Sequence, residues 1–171
     1  MININTPITD ELINRLSVGD MITLSGFIYA GRDAVLPKIA ALIETNKLSE
    51  FEINLEGAVI FHTAVSVAGV GPTSSNKHDI ESTIPILSKA GVKLHLGKGA
   101  LSPETIVALN KYNSVYAVIP PVTALLNDKT LKQRVIAFPE LGMEAFHSLE
   151  VFEYPAIIAA AHGKSIYDDQ L

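Results

Sequence analysis

The sequence predicts an α/β domain with at least some parallel strand pairing, and three observations carry that expectation. Short, apolar, β-branched runs recur at 21–30 (MITLSGFIYA), 58–65 (AVIFHTAV), 92–96 (VKLHL), 114–119 (SVYAVI), 133–138 (QRVIAF) and 156–161 (AIIAAA), each of strand length. Between the earlier runs lie segments with helical spacing and helix-end residues, the alternation that builds strand–helix–strand crossovers. The 171 residues are 48% hydrophobic and 18% charged, which is enough apolar side chain for one core. A single domain over residues 1–171 is expected, with no internal repeat and no dividing linker.

Taken in order, Thr9 or Asp10 caps a short helix through Leu16, and the strand at 21–30 ends near Gly31. Asp33 stands at a cap position, and Ile39, Leu42 and Ile43 have helical spacing, with Pro37 admissible only in that helix's first turn. After the strand at 58–65, a polar stretch leads to a helix that ends in ILSKAG, where Gly91 terminates it. Pro85 interrupts this segment, so the continuous helix is expected to start there. The strand at 92–96 precedes GKG, and Ser102 caps a helix with Pro103 and Glu104 in its first turn. The strand at 114–119, the strand at 133–138, a strand near 147–152 and another at 156–161 complete the pattern. The last of these, in YPAIIAAAHG, reads either as a core strand or as part of a surface for a partner chain.

Composition excludes several classes of function. A net charge of -5 and a pI near 5.5 count against nucleic acid, whose binding needs a basic surface. No run reaches the ~18 apolar residues of a membrane span, and the start, MININTPITDEL, does not look like a secretory leader, so a cytoplasmic protein is expected. Cysteine is absent, which removes disulfides, thiolate nucleophiles and any cysteine-ligated metal cluster built by this chain alone. His62, His78, His95, His147 and His162 are scattered singly, without the close pairing of a helical zinc site, and read as surface or hydrogen-bonded histidines.

Three segments occupy the turn after a predicted strand: Gly31-Arg32-Asp33, Gly71-Pro72-Thr73-Ser74-Ser75-Asn76-Lys77 and Gly97-Lys98-Gly99. In open α/β sheets such turns line the ligand crevice. If Arg32, Lys77 and Lys98 converge there, their mutual repulsion calls for a ligand with two or more negative charges. Glycines let the backbone come close, and Thr73, Ser74 and Ser75 offer directional hydroxyls. A small dicarboxylate or a phosphate fits. The same segments also fit a surface ion pair at Arg32-Asp33, a hydroxyl-stabilised turn at Thr73 to Ser75, and a solvated Lys98.

The order GRD, GPTSSNKHD, GKG, NKYNSVYAV and GMEAFHSLEVFEYPAII resembles the carboxyl-terminal domain, or separate beta subunit, of the iron-sulfur-dependent class I fumarate hydratases and L(+)-tartrate dehydratases. The likeness runs from about Leu16 to Tyr167. It implies a swivelling β/β/α domain that closes over a [4Fe-4S] cluster held by three cysteines of an alpha subunit, one iron remaining open to substrate. The implied activity is reversible hydration and dehydration of a small hydroxy-dicarboxylate, fumarate/malate or tartrate, by a hetero-oligomer. By the same resemblance Arg32 binds a substrate carboxylate, and Thr73 matches the first threonine of G-P-T-T, the proton-abstracting base. Ser74 stands in the second threonine's place, Lys77 in that of an arginine, and Lys98 is the lysine of G-K-G.

The chain departs from the pattern at Leu36, where R-D-x-x-H carries histidine, at Lys77, at His78 in place of methionine, and at Pro120-Pro121 in place of paired glycines. Lysine lacks the two-pronged grip of arginine. These changes support a second class of function, a non-catalytic dicarboxylate-binding or regulatory domain that retains the fold.

Overall fold

The computed structural model describes residues 1–66, 69–70, 77–120 and 123–168, the side chains of residues 77–80 and 123 lying outside that description. In chain order the elements are β1 (Ile2–Asn5), α1 (Asp10–Arg15), β2 (Met21–Ala30), α2 (Leu36–Glu44), β3 (Val59–Phe61), β4 (Val65–Ser66), β5 (Gly69–Val70), α3 (Lys77–Lys89), β6 (Leu94–Gly97), α4 (Pro103–Lys111), β7 (Val115–Val118), α5 (Thr123–Asp128), β8 (Thr130–Ala137), β9 (Phe146–Ala161) and β10 (Lys164–Ser165). The α/β class is as expected.

Strands β2, β3, β6 and β7 lie side by side in parallel, with Ala30 opposite Phe61, Phe61 opposite Leu96, and Leu96 opposite Ala117. Antiparallel β9 pairs with β7 on one flank and with β2 from Met21 to Ala30 on the other. The five strands therefore form a closed ring. β1 extends the β2 flank, β8 and β10 pair with β9, and β4 with β5 makes a separate hairpin. Helices α2, α3 and α4 are the crossovers that parallel neighbours require.

Strand periodicity assigns the two faces. Val59 and Phe61 join Leu24, Leu94, Leu96, Val115, Leu149 and Tyr154 in one apolar cluster, whereas Ile60 packs with Leu36, Ile39, Leu87 and Phe146 in another. A third cluster holds Ile84, Leu109, Tyr116, Ala159 and Ala160. The run 156–161 is thus a core strand.

Several helix ends follow their sequence signals. Thr9 accepts from Leu12 N–H at 3.2 Å, Ser102 from Thr105 N–H at 3.4 Å, and Pro37 lies in the first turn of α2. Three differences from the expected elements have physical causes. The helix expected from Pro85 begins at Lys77 and runs through that proline. Pro85 removes only the bond to the Glu81 carbonyl, and the fully buried Ile84 and Leu87 hold the helix on either side. The strand expected at 58–65 splits, because Thr63 N–H turns back to the Phe61 carbonyl at 2.9 Å. The strands near 147–152 and at 156–161 are one strand, β9. Pro155 lies between the β8 pairing, which ends at Val151, and the β7 pairing, which begins at Ile157, where a missing donor breaks no ladder on that flank. β1 and α5 had no expectation.

Gly57 joins the start of the chain to the ring. It accepts from Ile8 N–H at 2.8 Å and donates to the Gly91 carbonyl at 3.0 Å. Its φ is +72°, and a Cβ there would lie 2.7 Å from the Ile8 carbonyl oxygen and 2.9 Å from Pro7 Cβ. Gly57→Ala is expected to cost about 2 kcal/mol, read as a melting temperature lower by roughly 4–8 °C in calorimetry.

Candidate active site

The parallel strands end on one rim, and backbone bonds tie their ends together. Gly31 N–H donates to the Phe61 carbonyl, His62 N–H to Leu96 and Ile119 N–H to Gly97, each at 3.0 Å. The turns carrying Arg32 and Lys98 leave this rim from β2 and β6, with β3 between them, so their backbones are roughly 10 Å apart. Lys98 is exposed. Lys77 is the first residue of α3, its side chain outside the described residues, and Thr73 and Ser74 lie outside the described residues entirely. Two of the five expected site residues, Arg32 and Lys98, are thus placed with their side chains.

Arg32 is already engaged. Its Nε donates to Glu144 Oε1 at 2.8 Å, its Nη2 donates to the same oxygen, and Asp33 Oδ1 lies 3.8 Å from Nε. The hydrogen bond to Glu144 raises the guanidinium pKa further, against the opposing effect of burial. Glu144 closes the kinked 3-10 turn at Pro139–Glu144, and its Oε2 is buried without a hydrogen-bond partner. The protein therefore supplies two of the anions that the clustered cations were expected to draw from a ligand. Glu144 sits inside the GMEAF stretch of the sequence. It was missed as a site residue because a lone carboxylate there carries no spacing signal, the pairing spanning 112 residues.

Beneath the rim lies a second feature that sequence spacing hid. His62 and His95, read as single histidines, form a pair: Nε2 of His62 lies 3.0 Å from Nδ1 of His95, whose Nε2 lies 2.9 Å from Ser88 Oγ on α3. All three residues are buried. His62 Nδ1 has no partner. We assign the tautomer in which His62 Nε2–H donates to His95 and His95 Nε2–H donates to Ser88, since this leaves a bare lone pair rather than a stranded N–H. Burial pulls the His62 pKa down to about 3 and holds His95 well below its usual value, with His62 adding to the effect on His95. Both rings are neutral at pH 7.

His147, opposite Ala30, donates from Nδ1 to the Ala145 carbonyl at 3.0 Å, and burial lowers its pKa against that bond. His162 Nε2–H reaches the Leu16 carbonyl at 2.8 Å. Among the described residues no three His, Asp or Glu side chains are grouped to hold a metal ion, and no helix is long and apolar enough to cross a membrane.

The histidine pair gives the fold an acid limit with a definite sign. A buried histidine whose folded pKa is depressed contributes stability that is complete above its unfolded value near 6.5 and is lost as pH falls from there toward 3. Denaturant titrations from pH 7.5 to 4.5 should show stability falling below pH 6.5 by up to about 1.4 kcal/mol per unit for each of these histidines. The double variant His62→Val/His95→Met should show a shallower slope, and an unchanged slope would place the acid lability elsewhere.

Comparison with known proteins identifies a family. The family model described as Fumarase C-terminus matches residues 1–170. The chain is 29% identical to a putative L(+)-tartrate dehydratase subunit beta of Methanocaldococcus jannaschii, over 95% of this chain and 89% of that protein. It is 28% identical to the L(+)-tartrate dehydratase subunit beta of Escherichia coli K12, over 95% and 85%. It is also 28% identical to a putative class I fumarate hydratase of Geobacillus stearothermophilus, where it spans 99% of this chain but 34% of that protein. The match along residues 1–170 places this chain in the fumarase C-terminus family.

Proposed function

We propose that this chain is the beta subunit of a two-subunit hydro-lyase that reversibly adds water to, or removes it from, a small hydroxy-dicarboxylate such as fumarate/malate or tartrate. As a swivelling domain it closes over a [4Fe-4S] cluster held by a cysteine-containing alpha subunit in the cytoplasm. The observation that carries this reading is the common rim: Arg32 and Lys98 leave it two strands apart, and the crossover after β3 leads into α3 at Lys77. Support comes from relatives named as hydro-lyase beta subunits, which this chain matches over most of their length.

The chain's own donors do not fit the cluster. It has no cysteine, and among the described residues no metal-holding group exists, so every role assigned here belongs to side chains of this chain. Arg32, its plane set by Glu144, and Lys98 and Lys77 hold the carboxylates and offset the negative charge that grows on one of them. Ser74 orients the substrate, and Thr73 takes the proton. A threonine hydroxyl is a poor base unaided, so a neighbouring lysine must favour its ionised form.

Anaerobic co-purification with the partner should give a complex with broad absorption near ~400 nm. In that complex Thr73→Ala should lower kcat roughly a hundredfold or more with assembly unchanged. Wild-type rates would remove Thr73 from the chemistry. A colourless chain that purifies alone and saturates with millimolar L-malate or L(+)-tartrate in calorimetry would overturn the enzyme in favour of the non-catalytic dicarboxylate-binding domain.

A further inference from the structure

The turn that bears Lys98 is held from three sides, once by the ladder and twice by side chains that the G-K-G motif does not include. Its entry is fixed by the ladder, through Ile119 N–H on the Gly97 carbonyl at 3.0 Å. Past Lys98, the phenol of Tyr116 donates to the Gly99 carbonyl, also at 3.0 Å. Tyr116 is 2% exposed, and it passes so close beneath the turn that a Cβ on Gly97 would lie 3.2 Å from its oxygen. Where the turn enters α4, the Ser102 N–H donates to Glu81 Oε1 at 2.5 Å. That bond joins a carboxylate to the backbone at a helix N-terminus, the charge-assisted kind that is short and directional.

Glu81 stands on α3, one helical turn beyond Lys77. The bond to Ser102 therefore ties the helix that opens at Lys77 to the turn that carries Lys98. The same helix is fixed to β6 by Ser88 on His95. An exposed lysine on a flexible stem binds an anion only as well as its base is held, because each freedom left to the backbone must be lost on binding.

We propose that Tyr116 and Glu81 are positioning residues for Lys98, fixing the Gly97–Gly99 turn and coupling it to α3 so that Lys98 meets a substrate carboxylate in one geometry. The proposal rests on the assignment of Lys98 as a carboxylate-binding residue. Neither Tyr116 nor Glu81 is given contact with substrate.

The test uses the reconstituted complex, with L-malate and L(+)-tartrate as probes, and the variants Lys98→Ala, Tyr116→Phe, Glu81→Leu and Glu81→Gln. Tyr116→Phe and Glu81→Leu should each raise KM about tenfold with kcat within about twofold. Glu81→Gln keeps an oxygen acceptor for Ser102 N–H and should restore most of the affinity. A purely structural role would lower stability without this split or this rescue. In the full chain alone, amide exchange at residues 99–102 should be about tenfold faster in Tyr116→Phe and Glu81→Leu, with the melting transition little changed. If Lys98→Ala raises KM while the positioning variants change neither KM nor local exchange, the coupling is overturned. If Lys98→Ala itself leaves KM unchanged, the carboxylate-binding assignment fails, and with it the proposal.

Discussion

The long antiparallel strand β9 is the constraint on which the rest depends. A sheet of parallel β2, β3, β6 and β7 alone would leave two open edges with unpaired backbone donors and acceptors. β9 meets both edges at once, pairing with β2 on one flank and β7 on the other. Closure fixes the relative height of every strand, and the carboxyl ends of the parallel strands come to a common rim for that reason. It also brings the turn before β9, with Glu144, against the turn after β2, with Arg32. The rim's best-defined ion pair is thus a product of the ring's closure.

Where side chains leave water, the described ionisable groups are held in uncharged form or in pairs. His62 and His95 lie in the core as a neutral, hydrogen-bonded couple. Tyr116 and Tyr154 are buried with their phenols protonated, burial raising both pKa values, and each finds a partner, Tyr116 on Gly99 and Tyr154 on Thr130. Arg32 is paired with Glu144, and Lys93 with Asp10. Desolvation makes an unpaired charge costly there. Lys98 departs from this pattern, being exposed on a turn whose backbone is held from below.

Much of this was legible in the sequence, for identifiable reasons. Strand β2, the caps at Thr9 and Ser102 and the first-turn Pro37 depend on contacts a few residues apart, which spacing records. Proline misled at Pro85, because the one bond it removes is set against the burial of Ile84 and Leu87, and only the fold shows that packing. The pairings of Arg32 with Glu144, of His62 with His95 and of Glu81 with Ser102 join residues far apart in the chain. They follow from strand order and closure, which no local pattern encodes. Glu144 lay within a stretch already singled out, yet its role needs the turn before β9 to reach the turn after β2.

The charge balance of the rim bears on why such a site would be shared between chains. On the proposed function Arg32, Lys77 and Lys98 bring three positive charges, and Asp33, Glu144 and Glu81, the last bonded to the turn that carries Lys98, return three negative ones, which leaves none. A dicarboxylate brings two negative charges, and a reaction that builds carbanion character adds to the demand at the transition state. A rim without net positive charge cannot neutralise a dianion in a site that closes to water, where the residual repulsion is strongest. On the proposed function, the missing positive charge has to face this rim from the partner. The acidic chain as a whole, at -5, makes weak half-binding the expected state of the isolated subunit. Tight binding then coincides with closure, so substrate capture and completion of the site become one event.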